Sequence, residues 1–160
     1  MEDNKLILWF DSIQLSDLAQ VGGKNASLGE MRKELISKGV SIPDGFAITA
    51  YAYRHLLAQS GISGKITELL SDLDTHDIKN LSDRGKKIRT LIYEAKMSDD
   101  LRKEIAQAYK KLCAEYGPNT DVAIRSSATA EDLPNASFAG QQETYLNIRS
   151  EDVLIDACKK

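Results

Sequence analysis

Two cationic side chains, Lys24 and Arg125, stand where each could neutralise phosphate. Lys24 follows Gly22 and Gly23, and downstream of it Leu28, Met31 and Leu35 recur at helical spacing before Gly39 supplies a stop. The lysine therefore lies at or near a helix N-terminus. Its charge adds to the positive end of the helix dipole, and an anion bound there would relieve both. A tight turn carrying an exposed lysine satisfies the same pattern. The stretch is not a Walker A loop: Leu18 stands where GxxxxGK[ST] needs its first glycine, and Asn25 stands where a hydroxyl residue would reach magnesium.

Arg125 ends a short apolar alternation beginning at Val122, matched by a second from Thr144 to Ile148. Small, hydroxylated and acidic residues with no hydrophobic period lie between them, which predicts strand, long loop, strand. Val122 and Ile124 share one face of the first strand. Ala123 and Arg125 then point to the other, and the guanidinium is aimed at whatever the loop covers. The loop offers the hydroxyls of Ser126, Ser127, Thr129 and Ser137, and Gly140 would let its backbone approach a ligand closely. A phosphate-covering lid and a plain surface loop both fit this composition.

The elements that must hold these residues are legible in outline. Lys5 to Phe10 predicts a buried strand, with Asp11 and Ser12 as a turn; Pro43-Asp44-Gly45 is a turn into a strand in which Phe46 and Ile48 alternate. Ala50 to Gln59 predicts a helix. Ile78, Leu81, Gly85, Ile88, Ile92 and Ala95 make one helical stripe, and Leu101, Ile105, Ala108 and Leu112 make another. Both are assigned to core, from two antiparallel helices packed on a sheet or on each other. Ser98 is the predicted N-cap of the second, Asp99 and Asp100 follow in its first turn, and Gly117-Pro118 stops it. Ser150 is the predicted cap of a last helix running to Lys160. A chain stopping in mid-helix reads as a fragment of a larger enzyme.

The 160 residues suit one domain, and 42% hydrophobic with 28% charged residues is ordinary for a globular protein with a real core. No apolar run approaches the ~18–20 residues of a membrane span, and the N-terminus lacks a signal-peptide pattern, so a soluble cytoplasmic protein is expected. The net charge of -3 argues against a nucleic-acid binder. Lys86, Lys87 and Arg89 read as a solvated helix face. Cys113 and Cys158, without metal-ligand spacing, read as reduced thiols.

Arg125-Ser-Ser-Ala-Thr-Ala-Glu-Asp-Leu-Pro134, followed by Ala136-Ser-Phe-Ala-Gly-Gln-Gln-Glu-Thr-Tyr-Leu-Asn-Ile148, resembles the nucleotide-domain signature of the phosphoenolpyruvate synthase (pyruvate, water dikinase) family. Val21-Gly-Gly-Lys-Asn-Ala-Ser-Leu-Gly-Glu-Met31 and Gly39-Val-Ser-Ile-Pro-Asp-Gly-Phe-Ala-Ile-Thr49 resemble the same family in the same order. Residues 60–117 carry no motif of it. Pyruvate, phosphate dikinases have a shorter, methionine-rich loop after the arginine. Rifampin-type antibiotic phosphotransferases share Arg125-Ser-Ser-Ala-Thr and Ser137-Phe-Ala-Gly and are the alternative. The wording from Lys24 to Met31 favours the synthase.

The resemblance implies an α+β fold, an ATP-grasp-like N-terminal nucleotide-binding subdomain with a mixed sheet and packed helices. It also implies ATP with magnesium, and conversion of ATP, pyruvate and water to phosphoenolpyruvate, AMP and phosphate through a phosphohistidine. Residues 1–160 would be the N-terminal part of an ATP-binding domain of pyruvate phosphate dikinase type. The swivelling phosphohistidine domain and the C-terminal pyruvate-binding barrel would be its partners, absent from this chain. Lys24 and Arg125 would contact ATP phosphates, with Ser137 and Gly140 in the loop that covers them. No residue here is assigned to catalysis or to metal: His55 and His76 lack the phosphohistidine context, and Glu131 and Asp132 read as loop solvation. The segment alone is expected to fold without turnover; a stand-alone, non-catalytic nucleotide-binding module is the remaining alternative.

Overall fold

The computed structural model describes residues 4–130, 132–133, 136–137 and 142–160. Strand β1 (Ile7–Trp9) pairs antiparallel with β2 (Phe46–Ile48), Leu8 opposite Ala47. Because alternate side chains leave opposite faces of a strand, this ribbon divides two apolar clusters. Leu8 and Ala47 pack with Ile13, Val21 and Ala26, whereas Ile7, Phe46 and Ile48 lie against the larger core.

The smaller cluster carries the lysine turn. A single 3-10 turn (Leu15–Asp17) leads into α1 (Leu18–Val21) and then α2 (Gly23–Ile36). The predicted helix after the glycines is therefore present, but its buried face is not the Leu28, Met31, Leu35 stripe. Ala26 and Gly29 are the buried positions, and Met31 is 44% exposed. A Cβ on Gly29 would fall 2.5 Å from the Ile13 carbonyl oxygen. The helix meets the chain at Ile13 almost backbone to backbone, an approach that long side chains would prevent.

The larger core is built by α3 (Ala50–Gln59), α6 (Asp99–Tyr116) and α7 (Glu151–Ala157) around Leu56, Leu101, Ile105, Tyr109, Leu154 and Ile155. Thr49 fixes α3 to β1: its hydroxyl accepts from the Ala52 N–H at 3.1 Å and donates to the Lys5 carbonyl at 2.7 Å. All four residues of the predicted second stripe are buried, with Ile105 at 0% exposure. Truncating Ile105 to alanine is expected to lower the unfolding free energy by about 2–5 kcal/mol, read from urea denaturation, because it empties a fully enclosed site.

Other expectations need correction. The stripe on α5 (Ile78–Glu94) is core only toward its C-terminal end: Ile78 is 72% exposed and no residue of the helix itself is fully buried, but Ile92 packs against the larger core and Ala95, just past the helix, is buried in it. That helix packs mainly on α4 (Ser63–Leu70), while α6 packs on α7, so the two long helices are not each other's main partners. Ser98 and Ser150 occupy the N-cap positions, yet neither side chain makes the cap bond. Ser150 instead has φ 74° and donates its N–H to the Tyr109 hydroxyl at 3.0 Å. The last helix ends at Ala157, not at Lys160.

β3 (Val122–Arg125) pairs antiparallel with β6 (Thr144–Ile148). The expected alternation is present, Val122 and Ile124 half-buried and Ala123 and Arg125 exposed. The intervening segment is not structureless, since β4 (Asp132–Leu133) pairs with β5 (Ala136–Ser137). The class is α+β as expected, but among the described residues the strands form separate antiparallel pairs where a single mixed sheet was anticipated. Strands of two to five residues offer too few ladder bonds to extend a sheet without further partners. Among the described residues no helix is long and apolar enough to cross a membrane. Burial pushes the Cys158 thiol up to about 11, which keeps it protonated and unreactive near neutrality.

Candidate functional site

Lys24 is the second residue of α2 and Arg125 the last of β3, so each cation is held by the end of a regular element. The two line one open cleft of about 510 Å³, together with Gly23, Asn25, Ser27, Leu28, Ser126 and Ser127. That size lies within the range of small-ligand sites. Its lining is cationic and hydrogen-bonding, and none of those residues is a carboxylate. Such a set complements an anion presenting several oxygens.

Each position has a local cause. Val21 closes the smaller core at 3% exposure, which ends α1 against the ribbon. Gly22 then turns the chain with φ 80°, and α2 starts immediately. The first-turn N–H groups of α2, which lack a carbonyl partner within the helix, face the same end as Lys24. Arg125 stands opposite Thr144, and a register irregularity between Val122 and Ile124 sets that pairing. Immediately beyond, Ser126 ties the root of the loop to β6. Its N–H donates to the Glu143 carbonyl at 3.1 Å, and its hydroxyl oxygen accepts from the Glu143 N–H at 2.8 Å.

The sequence reading missed Gln142, whose side-chain oxygen accepts from the Lys24 ammonium. A side-chain amide oxygen and a phosphate oxygen are both acceptors, so this contact marks a direction in which Lys24 can donate. Nothing in the type of residue signalled it; only its place just before β6 does. Of the other expected site residues, Ser137 lies in β5, and its side chain lies outside what the structure describes. Gly140 and Glu131 lie outside the described residues. His55 behaves as a structural histidine, with Nε2 2.9 Å from the Asp100 carboxylate and its ring stacked on Tyr51. Among the described residues, no group of three or more His, Cys, Asp or Glu side chains could hold a metal ion.

Comparison with known proteins bears on which anion this is. The model of the pyruvate phosphate dikinase AMP/ATP-binding domain matches residues 18–160. The chain is 49% identical, over 99% of its length, to a phosphoenolpyruvate synthase of Synechocystis sp.. It is 51% identical over 97% to that of Helicobacter pylori and 47% identical over 96% to that of Escherichia coli. It spans 20%, 19% and 19% of those three relatives, about a fifth of their length.

Proposed function

Because the chain belongs to the pyruvate phosphate dikinase AMP/ATP-binding domain family, we propose that it is the ATP-phosphate-binding portion of a phosphoenolpyruvate synthase. Such an enzyme converts ATP, pyruvate and water to phosphoenolpyruvate, AMP and phosphate through a phosphohistidine. In this reading the chain is the N-terminal part of the nucleotide domain. A swivelling phosphohistidine domain and a pyruvate-binding barrel are its partners in the longer protein, which acts in the cytoplasm.

The observation that carries the reading is the gathering of Lys24 and Arg125 in one cleft at the N-terminus of α2. Phosphoryl transfer is mainly positioning and charge neutralisation, and this is what the two cations supply. Lys24 acts as a point charge beside the helix N-terminus, and Arg125 offers a planar fork to two phosphate oxygens. The segment from Ser137 to Gly140 would close over them. Magnesium accompanies the nucleotide, and among the described residues that line the cleft none is a carboxylate. The printed names of the relatives favour the synthase over a rifampin-type phosphotransferase, and their greater length favours it over a stand-alone module.

A residue-resolved NMR titration of the chain with magnesium-ATP tests the reading. Amide shifts are expected at Gly23, Lys24, Asn25, Ser126 and Ser127, with α5 unmoved. A well-dispersed spectrum that shows no shift in these residues at millimolar ATP would overturn the placement of the phosphates.

A further inference from the structure

Ser127 lines the cleft, and its hydroxyl looks like a phosphate donor. Its geometry points to another task. The Ser127 hydroxyl donates to the Val21 carbonyl at 3.0 Å, across the interval that separates the arginine strand from the lysine turn. The same carbonyl accepts from the Asn25 side-chain amide at 2.7 Å. A serine has one O–H to give. With that proton committed to Val21, the Ser127 side chain can present only lone pairs to a ligand, and lone pairs repel phosphate oxygens.

The chain path makes the same point. A Cβ built on Gly22 would fall 2.3 Å from the Ser127 hydroxyl oxygen and 2.7 Å from the Ala128 carbonyl oxygen. The absent side chain of Gly22 is therefore filled by the protein's own strand exit, not kept open for a nucleotide. We infer that Ser127 is a positioning residue: bonded to Val21 and seated against Gly22, it fixes the spacing of Lys24 and Arg125 across the cleft. This deepens the proposed ATP reading and rests on it. Ser126, whose hydroxyl oxygen accepts from the Glu143 N–H, ties the residue next to Arg125 to the chain entering β6. The two hydroxyls that follow the arginine thus set its place, and the cations with the helix N–H groups do the binding.

The test is a double-mutant cycle in the full-length enzyme that carries this segment, reading kcat and KM for ATP from pyruvate-dependent AMP formation. Ser127→Ala is expected to lower kcat/KM about tenfold, chiefly through KM, and Ser127→Thr, which keeps the O–H, to recover most of it. In a Lys24→Ala background the further loss from Ser127→Ala is expected to stay within about twofold, because a spacer has nothing left to position. A full tenfold loss in that background would show Ser127 acting as a ligand in its own right and would overturn the inference. So would an unchanged kcat/KM in Ser127→Ala alone. An unchanged kcat/KM in Lys24→Ala alone is a different failure, that of the ATP reading itself.

Discussion

Arg125→Ala in the full-length enzyme that carries this segment is expected to lower kcat/KM for ATP by roughly 10²–10³-fold, the usual loss when one donor aimed at developing charge is removed. The side chain is exposed at the end of β3 and contributes nothing to either apolar cluster. Its removal should therefore leave the fold intact, since surface truncations usually cost no more than about 0.5 kcal/mol. Circular dichroism and denaturant midpoint of the variant chain should match the parent while ATP-dependent phosphorylation of the enzyme collapses. Arg125→Lys separates charge from geometry. A lysine keeps the positive charge but loses the planar fork, and it should recover only about a tenth of the parental rate if both phosphate oxygens are held at once. Full activity in Arg125→Lys would mean that charge alone matters. Full activity in Arg125→Ala would remove the arginine from the site.

Local pattern was enough to place the two cations on their elements. Alternation at Val122 to Arg125 is a short-range property of the strand, and the end of α2 at Ile36, three residues before Gly39 at φ 81°, follows from a glycine stop. Neither depends on what lies across the molecule. The buried face of α2 does depend on it. Leu28, Met31 and Leu35 have the spacing of a core stripe, but Ile13 approaches so closely that only Ala26 and Gly29 fit beneath it. The stripe on α5 holds at Ile92 and Ala95, which reach the larger core, and fails at its N-terminal end for the complementary reason: its apolar spacing is correct, but the described chain supplies only α4 as a major partner to cover it. Caps misled in a third way. Ser98 and Ser150 are good cap residues by type, yet the Ser150 backbone is turned to φ 74° by the pull of Tyr109, a tertiary contact with no local signature. The Lys24 contact with Gln142 and the Ser127 bond to Val21 are invisible for the same reason, since each joins positions more than a hundred residues apart.

Gly22→Ala should be a severely damaging single methyl group, and a second glycine tells why. Gly22 and Gly39 have nearly the same φ, 80° and 81°, so alanine at either meets the strain of a left-handed backbone. That strain is of the order of 1–3 kcal/mol. Nothing lies within 4 Å of a Cβ at Gly39, whereas at Gly22 the new atom would meet the Ser127 hydroxyl and the Ala128 carbonyl. Both contacting groups belong to the strand exit that carries Arg125; the Ser127 hydroxyl is held by its bond to Val21, and the Ala128 carbonyl is backbone. Relief then requires the lysine turn and the arginine strand to move apart. Gly39→Ala is thus expected to lower stability by about 1 kcal/mol with ATP turnover unchanged, because strain there has no route to the cleft. Gly22→Ala is expected to lower the denaturation midpoint further and to reduce kcat/KM for ATP at least about a hundredfold, through separation of the two cations. Adding Ser127→Ala to Gly22→Ala removes one of the two colliding atoms, so the pair should be less impaired than the sum of its parts. Equal effects of alanine at Gly22 and Gly39 on turnover would mean that backbone strain alone is at work, and that the close crossing of turn and strand has no part in holding the site together.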